Sequence, residues 1–275
     1  MLVEMNLSVW TAQKNDKGAT AKVTTDANAR SDAGNFKKNL MAGTNRRKEI
    51  ADYAAMCRTW HNGKTLPWSD KGVRLLPTSL FLAYKSEINT RRAEFDTMVA
   101  AFLAEYPTLV AAAHRHMGSL FDPNDYPHVD EVATKFGFRT VFSPVPEAGD
   151  FRLDVPKAEM AELKTQYEVA YEARVDDAMG SAWTKFYEML KGMSDKLVEP
   201  EDGTKVFHAT FTSNAVELCE MLTHLNITKD PHLEKSRRDL EKAIANVDIA
   251  DIRKDAGTRA DVKAQVDAIL DAYDW

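Results

Sequence analysis

TLPWSDKGVRLLP, from Thr65 to Pro77, reads as two short strands closed by a turn. Thr65–Trp68 and Val73–Leu76 flank Ser69-Asp70-Lys71-Gly72, whose glycine can take the positive φ that a tight turn requires. Pro67 has no N–H for a ladder, so its strand is short or lies at a sheet edge. Before this hairpin, Ile50, Tyr53, Ala54, Cys57 and Trp60 recur at helical spacing, which predicts a helix over 46–62 that begins on Arg46-Arg47-Lys48 and ends at Gly63. Residues 26–45 are small, polar and aperiodic, and read as a loop. The opening alternates Val3, Met5, Leu7 and Val9 with Glu4, Asn6, Ser8 and Trp10, the pattern of a half-buried strand. Asn15-Asp16-Lys17-Gly18 then predicts a turn, and Ala21–Thr25 a return strand.

After the central hairpin the chain turns helical. Residues 79–117 carry Phe81, Leu82, Tyr84, Ile88, Phe95, Phe102 and Leu103 at helical spacing, with Pro107 expected to break or kink the run after Tyr106. FDPNDYP is a rigid turn, 129–135 a short helix, and FGFRTVFS and DFRLDV two strands joined by a stiff Pro-rich loop. From Pro156 to Val198, Met160, Leu163, Tyr167, Ala170, Met179, Phe186, Leu190, Met193 and Leu197 fall near heptad spacing, predicting one long packing helix that can bend at Gly180. VFHATF reads as a short strand, and helices follow over 213–225, 231–247 and 259–273. The pattern predicts an α+β fold, mainly helical, with small antiparallel hairpins in the N-terminal half and a long-helix C-terminal half. The expected division is a basic α+β domain over 1–155 and an acidic helical region over 156–275, separate or packed as one unit.

A chain of 275 residues with 44% hydrophobic and 28% charged residues can bury a core, which excludes disorder, collagen and a small disulfide scaffold. No stretch approaches the roughly 18 apolar residues of a membrane span, and MLVEMNLSVW lacks the features of a signal peptide. Cys57 and Cys219 read as two reduced thiols, so a soluble protein of the cytoplasm is expected. Residues 1–120 hold 17 basic and 11 acidic side chains, a net of +6, and the remainder nets -12. That asymmetry suits a polyanion-binding front and a partner-binding or repelling back.

No phosphate loop, GxGxxG, HExxH, CxxC or GxSxG motif occurs, so the expectation is a non-enzymatic protein without a cofactor. Cys57 with His61, and Cys219 with His224, are helical pairs of metal-ligand types, but a structural site needs four convergent ligands. The plainer reading is a small core residue beside a helix-end histidine. Asp122, Asp125, Asp130 and Glu131 suit a turn better than a cation loop. A metal-dependent nuclease using Asp122, Asp125 or Asp150 lacks a spaced carboxylate set.

The most suggestive group mixes cations and flat rings: Arg58, Trp60, His61, Lys64, Trp68, Lys71 and Arg74, extended by Trp10, Lys14, Lys17 and Lys22. Cations tracking phosphates and rings stacking on bases hold single-stranded nucleic acid. Against this, Trp60 continues the apolar face of its helix and Trp68 can plug a core, the commoner fate of large aromatics. The last segment, DVKAQVDAILDAYDW, is an amphipathic core helix on its pattern, although acidic tails ending in an aromatic also dock partners of single-strand-binding proteins.

TLPWSDKGVRLLP, RRAEFD from Arg91, LFDPNDYP from Leu120 and FSPVPEAGDFRLDV from Phe142 together resemble a family of proteins of unknown function encoded by tailed phages, plasmids and bacteria. The resemblance spans residues 1–160 and implies a phage or mobile-element setting, with MoxR-type AAA+ ATPases and von Willebrand A proteins encoded nearby. No residue roles come with it. The leading expectation is therefore a phage-type single-stranded DNA-binding protein for replication, recombination or transcription, acting as a homo-oligomer through Arg58, Trp60, Lys64, Trp68, Lys71, Arg74, Lys14, Lys17 and Lys22. The alternative is an oligomeric protein-interaction adaptor working with an AAA+ ATPase through the acidic helical half.

Overall fold

A computed structural model describes residues 1–69, 72–146, 157–198, 207, 210–245 and 247–273. In chain order these form β1 (Leu2–Ser8), β2 (Gln13–Asn15), α1 (Lys17–Asp26), β3 (Lys37–Asn39), α2 (Arg46–Lys64), β4 (Leu66–Pro67) and β5 (Val73–Leu75). There follow α3 (Phe81–Met117), α4 (Val129–Ala133), β6 (Gly137–Ser143), α5 (Lys157–Leu197), α6 (Thr210–Leu225), α7 (Pro231–Ile244), α8 (Ile249–Lys254) and α9 (Ala256–Leu270). The fold is α+β and mainly helical, with a small antiparallel sheet ordered β4-β5-β1-β6 and a separate β2-β3 pair.

The chain forms two compact units, each assembled from separated segments. One comprises residues 1–4, 62–82 and 142–275; the other comprises residues 5–61 and 83–141. The division therefore does not fall at residue 155. Each unit has its own core. In the first, Leu2, Leu66, Trp68 and Leu75 pack with Phe186, Leu190, Leu222, Leu240 and Val266 from the helices. In the second, Trp10, Leu40, Ile50, Phe95, Phe102 and Tyr106 pack together, and Phe102 lies 5.7 Å from Phe136, ring to ring.

The central hairpin forms as its turn chemistry requires. Leu66 faces Leu75 and Pro67 faces Arg74, while Leu2, Val3 and Glu4 of β1 face Leu75, Arg74 and Val73. Pro67 lies on the edge strand, where its missing N–H costs no ladder bond. Gly72 has φ +84, the left-handed conformation that makes glycine the natural residue there.

The expected first hairpin is absent. Asp16 is an N-cap: its Oδ1 accepts from Ala19 N at 2.9 Å, and Thr20 Oγ1 donates to its carbonyl at 2.7 Å, so 17–26 is the helix α1. A satisfied cap outweighs an alternation of only two apolar residues, and Val23 is left 56% exposed. The partner of β2 comes from the segment read as a loop, with Lys14 opposite Lys38. Because β1 ends at Ser8, its alternation does not reach Trp10, which is buried instead of polar-facing.

Other boundaries moved for local reasons. α2 continues through Gly63 to Lys64, and α3 runs unbroken across Pro107, which deletes one hydrogen bond within a helix of 37 residues. Thr210 and Phe211, read as strand, open α6. α8, not foreseen, starts on Asp248, whose side chain accepts from Ala250 N at 2.8 Å. DFRLDV lies outside the described residues.

Gly43 has φ +83, and a Cβ built on it would lie 2.6 Å from His116 Cδ2. Gly43→Ala combines backbone strain with a clash against a ring. It is expected to destabilise by ~2–4 kcal/mol, read as a lower urea midpoint at unchanged slope.

Candidate functional site

The aromatic and basic residues singled out in the sequence do not form one open surface. Lys14, Lys17, Lys22, Arg58 and Trp60 belong to one unit, and Lys64, Trp68 and Arg74 to the other. Lys71 lies outside the described residues. Trp68 is 5% exposed in the first unit's core, edge-on to Tyr171 at 5.5 Å, so its ring is not a platform for a base. Trp60 is half-buried; its ring stacks on Tyr84 at 4.8 Å, and the Arg91 guanidinium lies 4.6 Å from its centre.

Several of the cations are engaged within the fold. Arg58 Nη2 donates to Leu7 O at 2.9 Å, Lys64 pairs with Glu217 at 3.3 Å, and Lys14 pairs with Asp125 at 3.2 Å. Arg74 donates to Thr65 Oγ1 at 2.6 Å, Thr65 O at 3.0 Å and Asn62 O at 3.5 Å, satisfying carbonyls where α2 ends. Lys17 and Lys22 stand exposed on α1 and make no ion pair among the described residues.

The candidate metal ligands serve the core. Cys57 and His61 are both buried on one face of α2; His61 Nδ1 lies 2.7 Å from Tyr84 Oη, and burial raises the Cys57 thiol pKa. Cys219 is also buried, its pKa pushed up by burial to about 12, which makes it an inert thiol. His224 Nδ1 lies 3.0 Å from Ser79 Oγ. Among the described residues, no three His, Cys, Asp or Glu side chains are placed to hold a metal ion. Asp122 caps the turn that follows it, accepting from Asn124 N at 2.9 Å.

Asp125 instead builds a buried charge node that the sequence reading missed. Lys38 Nζ lies 3.0 Å from Asp16 Oδ2, 2.5 Å from Asp125 Oδ2 and 3.0 Å from Leu120 O, and Lys38 and Asp125 are each 8% exposed. The Oδ2 contact is close but out of line for a hydrogen bond, so it is an ion pair. Burial alone would raise the Asp125 pKa, but Lys38 and Lys14 outweigh it and hold the carboxyl below its ordinary value.

The feature most suggestive of function lies on α5. From Ala178 to Leu197 the helix buries Ala178, Ala182, Phe186, Leu190, Met193 and Leu197. From 159 to 177, about 28 Å of helix, no residue is buried. Met160, Leu163, Tyr167, Tyr171 and Val175 nevertheless continue the same stripe, with Tyr171 39% exposed. Heptad spacing revealed the stripe in the sequence, but nothing there marked where its cover stops. Comparison of the chain with known protein families, with curated proteins and with solved structures gives no match.

Proposed function

We propose that the chain is an oligomeric protein-interaction component whose exposed α5 arm pairs with the same arm of a second copy. The observation that carries this reading is the apolar stripe over 160–175, continuous with a buried stripe but nowhere fully buried itself, with Tyr171 and Val175 at its base meeting the first unit's core. Charge complementarity favours a second copy. With Met160 and Leu163 inside a parallel helix pair, Glu159 meets Lys164 of the partner subunit across the seam. Among the described residues of one chain, Lys164 makes only a long, exposed pair with Glu168 at 3.9 Å, so it loses little by exchanging partners. The resemblance over 1–160 makes a MoxR-type AAA+ ATPase the first outside partner to test.

The mass in solution tests the pairing. Light scattering at micromolar concentration is expected to give at least twice the chain mass, and Met160→Glu with Leu163→Glu is expected to weaken association more than tenfold. A monomeric wild type would sink the proposal. The single-stranded DNA reading retains Lys17 and Lys22 as exposed cations without an ion pair among the described residues. Its test is a salt-dependent titration with a single-stranded oligonucleotide, where tight binding lost in Lys17→Ala/Lys22→Ala would restore it.

A further inference from the structure

The first unit holds a cavity of about 620 Å³ whose wall includes Met189, Met193, Phe207, Phe211, Leu218 and the amine-bearing Lys185. Lys185 is only partly exposed, and its Nζ donates to Asn62 O at 2.8 Å and Thr65 O at 3.0 Å. Arg74 donates to the same two carbonyls. Among the described residues Lys185 meets no carboxylate, although lysines withdrawn from water are almost always paired. Glu188 and Lys196 stand on the cavity wall, and Lys64, beside Gly63 of that wall, is taken by Glu217.

The two carbonyls match the two N–H groups of a neutral amine and leave its lone pair over. Burial, and then Arg74, lower the pKa of this amine to about 8. Desolvation beside a second cation is the setting that activates lysine as a nucleophile.

We propose that Lys185 is a nucleophilic amine that condenses with an apolar aldehyde or ketone taken into the cavity. The Nζ lone pair attacks the carbonyl carbon, a C–N bond forms, and the carbonyl oxygen takes up the proton released from nitrogen. Loss of that oxygen as water, which carries off the second N–H proton, then forms the C=N bond, so one amine and one carbonyl compound give one imine and one water with no change of oxidation state. The Met, Phe and Leu floor selects an apolar body, and the amine supplies the only chemistry demanded of the site. This inference is independent of the α5 pairing and stands or falls separately.

The test is reductive trapping of the full-length protein with benzaldehyde and cyanoborohydride, followed by peptide mapping. At pH 7 a pKa of about 8 gives about 300-fold more free amine than the ordinary lysine value of 10.5, so Lys185 is expected to label at least tenfold faster than any other lysine. Its labelling should be half-maximal near pH 8. The Met1 amine, whose pKa burial lowers from 8.0, serves as an internal reference. Lys185→Arg keeps a cation for the carbonyls and should abolish the fast label; Lys196→Arg should leave it unchanged. A lysine that only caps the end of α2 gives no preference. Labelling of Lys185 at the rate of other lysines, or with a midpoint near pH 10, would overturn the proposal.

Discussion

Lys38→Met is expected to destabilise the second unit by about 3–5 kcal/mol, because it leaves Asp125 buried with only the half-exposed Lys14 for compensation. The same substitution costs Asp16 its ion pair at 3.0 Å and leaves Leu120 O without its donor. The loss reflects an orphaned charge more than the net strength of the pair, so Lys38→Met with Asp125→Leu should recover much of it. Urea unfolding of the single and double variants checks this; equal losses in both would refute the account.

The node also sets a pH window. Asp125 and Asp16 have folded pKa values below their ordinary 3.8, so their stabilisation is complete above that value and is lost as pH falls through the folded values. Lys38 is raised above 10.5, chiefly by Asp125, so its contribution is complete below 10.5 and is lost as pH rises through the folded value. In Lys38→Met the acid limb should flatten, since Asp125 then loses its main reason to stay ionised.

Phe186→Ala is expected to cost about 3–5 kcal/mol in the first unit, where its ring is 0% exposed, by lost burial and a residual cavity. On the same helix, Leu163→Ala should change the stability of the isolated chain by less than about 1 kcal/mol, because Leu163 is only partly buried. Denaturation of both variants at dilute concentration separates the two halves of α5. A large loss at Leu163 would mean that its face is already packed within the chain.

These contrasts also show what the sequence could reveal. Helical periodicity located α2, α3, α5, α7 and α9 because each buries a stripe, and the Gly72 turn marked the β4–β5 hairpin. α1 was missed because Asp16 before Lys17-Gly18 satisfies turn chemistry as well as cap chemistry, and only tertiary context separates them. β2 and β3 carry no apolar alternation: Gln13, Lys14 and Asn15 are all exposed, and their pairing spans 21 intervening residues. Lys38 and Asp125 gave no local sign of one another. Burial of Trp68 was weighed from its type alone, whereas Trp10 was placed on the polar side of β1, since burial depends on what the distant chain brings against each ring. Lys185 carried no local sign of its setting, because the carbonyl of Thr65 that it meets lies 120 residues away in the chain.

The segmental make-up of the two units has a consequence for synthesis on the ribosome. Every piece of the second unit has been made once residue 141 is added, whereas the first unit needs residues 1–4 and 62–82 together with everything from 142 onward. At ~5–20 residues per second, the 134 residues from 142 to 275 occupy roughly 7–27 s. During that interval β4, β5 and the first residues of β1 exist without the helices that later bury Leu2, Leu66, Trp68 and Leu75. The order of translation therefore exposes an apolar hairpin in the nascent chain, and Pro67 on its outer strand blunts the edge at which another chain could add.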